Sequence, residues 1–400
     1  MGEWDSSKTP RAVIRRTIKA AAATALEGTG ARRLLSAVRR RNVGGVRVQF
    51  IAWHRIVPDF EGMRGKVIPG LLTSTRTFDR QLAWLGQNYR FATIPEALEV
   101  LSGNRRSDRD LCVLTFDDGY ADFLEHAVPI LRKHRAPGII YVPTGFVETG
   151  IPLLHDRLYR VLRLAAQRNL AVREIGGGPL VTAALEDALR GDVIWALERL
   201  LETRPRELCL QVAQALESCL EVDPAETLVD SSLLTWEELR AVRAAGFEVG
   251  AHTVDHACLP NESAAEVERQ LRLSRETFRE KLGEDVLDFA YPNGWYSRGA
   301  IRALIRGGYR SAVTTEDRPN RLGEDPYTLK RKCVWEFTSR GLGGFSAAVN
   351  ACNFDDTLGQ LGISSWVHGE RPDAVGTVGA SRGEEAGGAP SERAASSGSA

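Results

Sequence analysis

Residues 113–123 read VLTFDDGYADF. Val113, Leu114 and Phe116 form an apolar run that breaks at Asp117, Asp118 and Gly119. The run has the composition of a strand, and the glycine lets the backbone turn sharply just beyond it. Both carboxylates therefore stand at the C-terminal end of a strand, which is where parallel α/β folds build their sites. Two like charges side by side have two readings. One acid caps the next helix and the other is spare, or the pair does chemistry together.

Working outward, the chain alternates strands and helices from residue 46 onward. VRVQFIAWH (46–54) reads as a strand, TFDRQLAWLGQ (77–87) and IPEALEVLSG (94–103) as helices, and LCVLTF (111–116) as the next strand. A helix over 120–134 and the strand GIIYVP (138–143) follow. Later come a helix from Thr235, the strand GFEVGAH (246–252), a long helix, VLDFAYP (286–292), another helix and GYRSAVTT (308–315). Thr235 with Glu238 and Ser263 with Glu266 carry the capping-box spacing at two helix starts. Such alternation means parallel strands joined by crossover helices, in a barrel or an open sheet.

Two regions depart from this rhythm. Residues 148–235 carry the helical stripes Leu154, Leu158, Val161, Leu162 and Leu208, Val212, Leu216, Leu220, separated by GGGP at 176–179, and read as a helical insertion. It leaves a strand's C-terminal end, so it is expected to cover the open end of the fold and to be separable from metal binding. Residues 1–45 form a basic amphipathic helical segment: Ile14, Ile18, Ala22 and Leu26 share a face, and residues 1–41 hold ten Lys or Arg against three acids. That pattern suits an anionic membrane surface, or a helix packed on the domain with its basic face solvated. Residues 346–368 form an extension, and the Gly-, Ala-, Ser- and Glu-rich tail 369–400 is expected to be disordered.

Composition bounds the partners and the compartment. Lys plus Arg equals Asp plus Glu at 52 each, so no global field points to nucleic acid. The six cysteines contain no CxxC pair, which argues against a disulfide framework and a thiolate zinc site. No apolar stretch has the length of a membrane span, and MGEWDSSKTPRAVIRR is polar throughout. The expected location is cytoplasmic, with peripheral contact at the inner membrane face through the N-terminal helix.

Three further motifs join the aspartate pair. GAHTVDH puts His252 and His256 after a strand at a spacing of four, which on a helical turn sets both imidazoles on one side. Two imidazoles and a carboxylate make a zinc-type site with open positions. Thr253 stands where an HExxH motif has its glutamate base, so the base must come from elsewhere. One aspartate can hold the metal while its neighbour accepts a proton from water. A DxDG phosphatase motif would need an aspartate at Phe116. FAYPNG (289–294) supplies a tight turn able to aim a backbone N–H at an oxyanion, and AWHRI puts His54 near the end of the first strand.

TFDDG, HTVDH and FAYPNG, in that order and preceded by WHRI, resemble the motifs of the NodB-homology polysaccharide deacetylases. The opening WHRI resembles the circularly permuted branch that includes poly-N-acetylglucosamine deacetylases. The resemblance covers roughly residues 46–147 and 236–345. It implies a distorted (β/α) barrel of about seven strands. It implies Asp117 as general base, Asp118, His252 and His256 as ligands of a divalent metal such as zinc, and His54 as general acid. The Asn293 N–H would serve the oxyanion, with Pro292 and Gly294 shaping its turn beside Tyr291 at the substrate. Trp53 stands where Tyr is usual on the pocket wall. Many members carry, at the position of Ala290, an arginine that orients the base; this chain does not.

The expected function is hydrolytic removal of an N-acyl group, most simply acetyl, from an amino sugar in a glycan, glycolipid or sugar intermediate. Rival readings are an amide or cyclic-imide hydrolase with a non-sugar substrate, and a catalytically silent carbohydrate-binding barrel. The complete Asp–Asp–His–His set weighs against silence, because a binding module needs no uncoordinated base beside a metal.

Overall fold

The computed structural model describes residues 10–43, 45–226 and 231–357. The 369–400 tail lies outside the described residues, as do residues 358–368 of the extension.

In chain order the strands are β1 (Val48–Trp53), β2 (Arg55–Val57), β3 (Leu72–Ser74), β4 (Arg90–Phe91), β5 (Leu111–Phe116), β6 (Ile139–Val142), β7 (Glu248–Ala251), β8 (Asp288–Ala290), β9 (Ser311–Val313) and β10 (Arg331–Cys333). The helices are α1 (Pro10–Gly28), α2 (Ala31–Val43), α3 (Phe60–Met63), α4 (Thr75–Asn88), α5 (Ile94–Leu101), α6 (Val128–Lys133), α7 (Leu154–Gln167), α8 (Gly178–Ala188), α9 (Val193–Thr203), α10 (Arg206–Leu220), α11 (Trp236–Ala244), α12 (Ala264–Leu282), α13 (Arg298–Arg306) and α14 (Ala347–Phe354).

Seven parallel strands run in the order β10-β1-β5-β6-β7-β8-β9, with β4 added beside β5. The two ends nearly meet. A parallel bridge joins Val313, at the end of β9, to Leu329, just ahead of β10. The fold is therefore an α/β barrel, nearly closed at the seam between β9 and β10.

Strand alternation sorts the core into two layers. Val48, Phe50, Val113, Tyr141, Ala290 and Val313 pack together inside, where Ile94, Ala97 and Leu101 of the α5 region close one end. Their neighbours Ile51, Trp53, Leu114, Phe116, Val142, Phe289 and Tyr291 face the surrounding helices. Residues Thr115 and Asp117 take the inward positions at the end of β5.

The helix starts follow local chemistry. Thr235 accepts from the Glu238 N–H at 3.1 Å while Glu238 accepts from the Thr235 N–H at 2.8 Å, a complete capping box. Ser263 makes only its half: it accepts from the Glu266 N–H, but the Glu266 carboxylate turns to Arg269 and Gln270. β10 was not legible, because RKC has no apolar face to read.

The insertion is built from α7, α8, α9 and α10 around its own core, which includes Leu158, Leu162, Leu185, Leu197, Val212 and Leu216. A buried bidentate pair, Arg157 to Glu217 at 2.9 and 2.7 Å, ties α7 to α10. The N-terminal segment is two helices rather than one, broken at Gly30 with φ 74°. Ala20 and Ala23 bury against Val349 and Cys352 of α14 with Leu26 packed beside them, while Ile14 and Ile18 stay exposed, so only the C-terminal part of the expected face is covered. Among the described residues no helix is long and apolar enough to cross a membrane.

Candidate active site and metal centre

At the end of β5 the Asp117 N–H still pairs with the Trp53 carbonyl at 3.0 Å, and the chain then reverses. Asp118 and Gly119 both adopt φ 74°. A left-handed non-glycine residue of this kind costs about 1–3 kcal/mol and persists only where its surroundings impose it. The reversal lets adjacent carboxylates diverge, each to its own partners.

Asp117 turns inward to Arg331. The guanidinium donates to Oδ1 and Oδ2 at 2.7 Å each, and its remaining donors reach the Thr314 carbonyl at 2.9 Å and Thr115 Oγ1 at 3.2 Å. Arg331 is fully buried. Burial alone would raise the Asp117 carboxyl; the Arg331 charge, aided by His252 and His54, overcomes it and holds the group below the usual carboxylate range. The arginine absent at Ala290 is thus supplied from β10. His54, at the end of β1, brings Nε2 to 3.9 Å from Asp117 Oδ2 and keeps its side chain 20% exposed.

Asp118 turns instead to the histidines. Its Oδ1 lies 3.5 Å from His252 Nε2 and 3.2 Å from His256 Nε2. Ligand atoms of a tetrahedral centre with bonds of about 2.0–2.2 Å sit roughly 3.3–3.6 Å apart. Asp118 Oδ1 is also a buried oxygen with no hydrogen-bond partner, so the three side chains fit a divalent ion. The His252 Nδ1–H donates to the Ala290 carbonyl at 2.7 Å, which leaves Nε2 free as the metal-facing nitrogen. Burial pushes His256 down to about 4, keeping its imidazole neutral, as a ligand must be. The two histidines do not share a helical turn, contrary to expectation. Thr253 and His256 have φ of 65° and 53°, so a loop of tight turns brings the rings to 4.7 Å.

The FAYPNG turn is equally constrained. Asn293 and Gly294 have φ of 57° and 74°, and the Gly294 N–H donates to the Tyr291 carbonyl at 2.8 Å. A Cβ on Gly294 would overlap Thr315. Pro292 is buried within the turn. Two expected substrate contacts do not stand. Trp53 is fully buried, donates its indole N–H to Gln81 Oε1 at 2.9 Å and packs on Phe78 and Phe116. Tyr291 is fully buried and donates its hydroxyl to the Tyr327 carbonyl at 3.0 Å. Both occupy outward strand positions, away from the barrel interior.

Sequence reasoning also passed over His155, the second residue of α7. Its Nε2 lies 3.8 Å from Asp118 Oδ2. Its place between Leu154 and Leu158 disguised it as part of an amphipathic stripe.

Comparison with known proteins gives the following. Residues 104–312 match the family described as Polysaccharide deacetylase. YxkH of Bacillus subtilis (strain 168), whose name places it among polysaccharide deacetylases, is 19% identical over 257 residues, or 64% of this chain and 63% of that protein. The poly-beta-1,6-N-acetyl-D-glucosamine N-deacetylase of Escherichia coli (strain K12) is 31% identical over 101 residues, or 25% of this chain and 14% of that protein. The chain thus spans less than two thirds of either relative. The structure of IcaB from Ammonifex degensii is 20% identical with a TM-score of 0.49, covering 74% of this chain and 94% of that one. Streptococcus pyogenes deacetylase PplD in complex with acetate is 18% identical with a TM-score of 0.48, covering 73% and 94%.

Replacing Arg331 by Met leaves the Asp117 carboxylate buried without its counter-charge, at a cost of about 3–5 kcal/mol near neutral pH. In the wild type the carboxyl is held low, so its contribution is lost only as acid passes below the usual carboxylate range. In Arg331→Met burial raises the carboxyl, so the variant regains stability as pH falls through that raised value. Denaturant unfolding at pH 7 and pH 5 should show the gap between the two proteins narrowing at the lower pH. A gap unchanged by pH would mean Asp117 is not the group Arg331 serves.

Proposed function

The chain belongs to the polysaccharide deacetylase family, and from that premise we propose that it hydrolyses the N-acyl group, most simply acetyl, of an amino sugar in a glycan, glycolipid or sugar intermediate. The observation that carries this reading is the split of adjacent carboxylates, Asp117 to Arg331 and Asp118 to the histidines.

Asp118, His252 and His256 would hold a divalent ion, zinc by donor chemistry, and such an ion supplies Lewis-acid stabilisation of the negative charge that develops on the carbonyl. Asp117, ionised and fixed by two hydrogen bonds, takes the proton of the attacking water. The Asn293 N–H donates to the developing oxyanion from its rigid turn. His54, half-buried beside Asp117, gives a proton to the departing amine nitrogen. Water and amide thereby become a carboxylic acid and an amine, the proton taken by Asp117 balancing the one given by His54.

Acetate release from free and lipid-linked N-acetyl amino sugars, assayed with and without a chelator, tests the reading. Asp117→Asn and His54→Ala are each expected to keep fold and metal and to lose roughly a hundredfold or more of the amide activity. On an activated ester of the same acyl group the leaving group needs no proton, so His54→Ala should recover most of its rate and Asp117→Asn should not. A non-sugar amide or imide turned over faster than any amino sugar would favour the rival hydrolase. Full amide activity of His54→Ala would remove it as the acid.

We also propose that the N-terminal helices meet an anionic membrane surface. Residues 1–41 carry ten Lys or Arg against three acids, and Ile14, Ile18, Leu34, Leu35 and Val38 are exposed on α1 and α2. Vesicles containing phosphatidylserine should retain the full chain better than neutral ones, with salt and the pair Ile18→Glu and Leu34→Glu weakening retention. Equal retention of variant and wild type would leave these helices a packing role alone.

A further inference from the structure

Asp118 has a second oxygen, and the insertion reaches it. Oδ2 faces His155 Nε2 at 3.8 Å, while the His155 ring stands edge-on to His256 with centroids 5.1 Å apart at 72°. One side chain therefore abuts two of the three prospective ligands.

His155 is itself held by a buried chain of hydrogen bonds. Its Nε2 lies 2.8 Å from Tyr120 Oη, and the Tyr120 hydroxyl donates to Asp156 Oδ2 at 2.8 Å. With the tyrosine proton committed to Asp156, Oη accepts from His155, so Nε2 carries hydrogen. A protonated nitrogen cannot ligate a metal, and this N–H is spent on Tyr120; at 3.8 Å the Asp118 Oδ2 meets the polarised edge of the ring as a close electrostatic contact, not a hydrogen bond. Tyr120 is fixed in turn by the Arg55 guanidinium over its ring at 4.5 Å.

The exit of the insertion grips the same turn. The Leu234 N–H donates to the Gly119 carbonyl at 2.8 Å, and the Ala121 N–H donates to the Ser232 carbonyl at 2.9 Å. The left-handed Asp118–Gly119 turn is thus clasped by both ends of the insertion.

We infer that His155 is a positioning residue of the metal centre, delivered by the insertion to fix Asp118 through Oδ2 and His256 through its ring; this rests on the metal-binding reading above. The insertion is then part of the centre rather than a separable lid, contrary to the expectation from sequence. Deleting it would remove metal binding along with any substrate selection.

The test is zinc affinity by competition with a chelating dye, together with the visible spectrum of the cobalt-substituted protein. His252→Ala serves as the reference for a lost ligand. His155→Ala should fold, as judged by circular dichroism, bind zinc about 10–100-fold more weakly and show an altered cobalt spectrum. His155→Gln, which keeps a side-chain N–H, should recover at least part of that affinity. Tyr120→Phe, which removes the hydroxyl that holds His155, should weaken zinc binding and alter the spectrum in the same direction, and it decides if the alanine variant does not fold. Wild-type zinc affinity and cobalt spectrum in folded His155→Ala, or failing that in Tyr120→Phe, would overturn the inference and leave the metal centre standing. Failure of the wild type to bind zinc would overturn both.

Discussion

A buried arginine and a buried aspartate hold this site together. Arg331 and Asp117 meet through two 2.7 Å hydrogen bonds in the barrel interior. Removing one member of such a pair is costly because the other charge is stranded in low dielectric. The pair also ties β5 to β10 across the intervening β1, near the seam where the sheet closes. Two consecutive acids can both stay ionised in this setting because each has its own compensation. Asp117 has a guanidinium, and Asp118 has imidazoles and room for a cation.

The strained turn follows from the same division. With Asp118 in an ordinary strand conformation, its side chain would point outward into the helix layer that holds Trp53 and Phe116. The left-handed conformation at Asp118 redirects it towards His252 and His256. Left-handed residues recur at Thr253, His256 and Asn293, so all three motif loops carry positive φ where side chains or amides converge. Such clustering is expected where geometry is imposed by surroundings rather than by local preference.

Much of this was legible in the sequence. Strands with an apolar face, such as LCVLTF and GIIYVP, announced themselves, and TFDDG, HTVDH and WHRI singled out Asp117, Asp118, His252, His256 and His54, which the fold brings together. Arg331 was not legible, because a buried charge on a short strand looks like surface until its partner is located. His155 was hidden for the opposite reason: it sits in a helical stripe whose other members are apolar. Trp53 and Tyr291 were misassigned because motif position says which residues adjoin a site but not which strand face they occupy. Alternation settles that, and both point outward.

The most direct test of the divided carboxylates is anomalous diffraction at the zinc edge from crystals of the zinc-loaded protein. The expected result is one peak about 2.0–2.2 Å from Asp118 Oδ1 and from the Nε2 atoms of His252 and His256, with both Asp117 oxygens still on Arg331. A peak ligated by Asp117, or an Asp117 released from Arg331 to reach the metal, would contradict it.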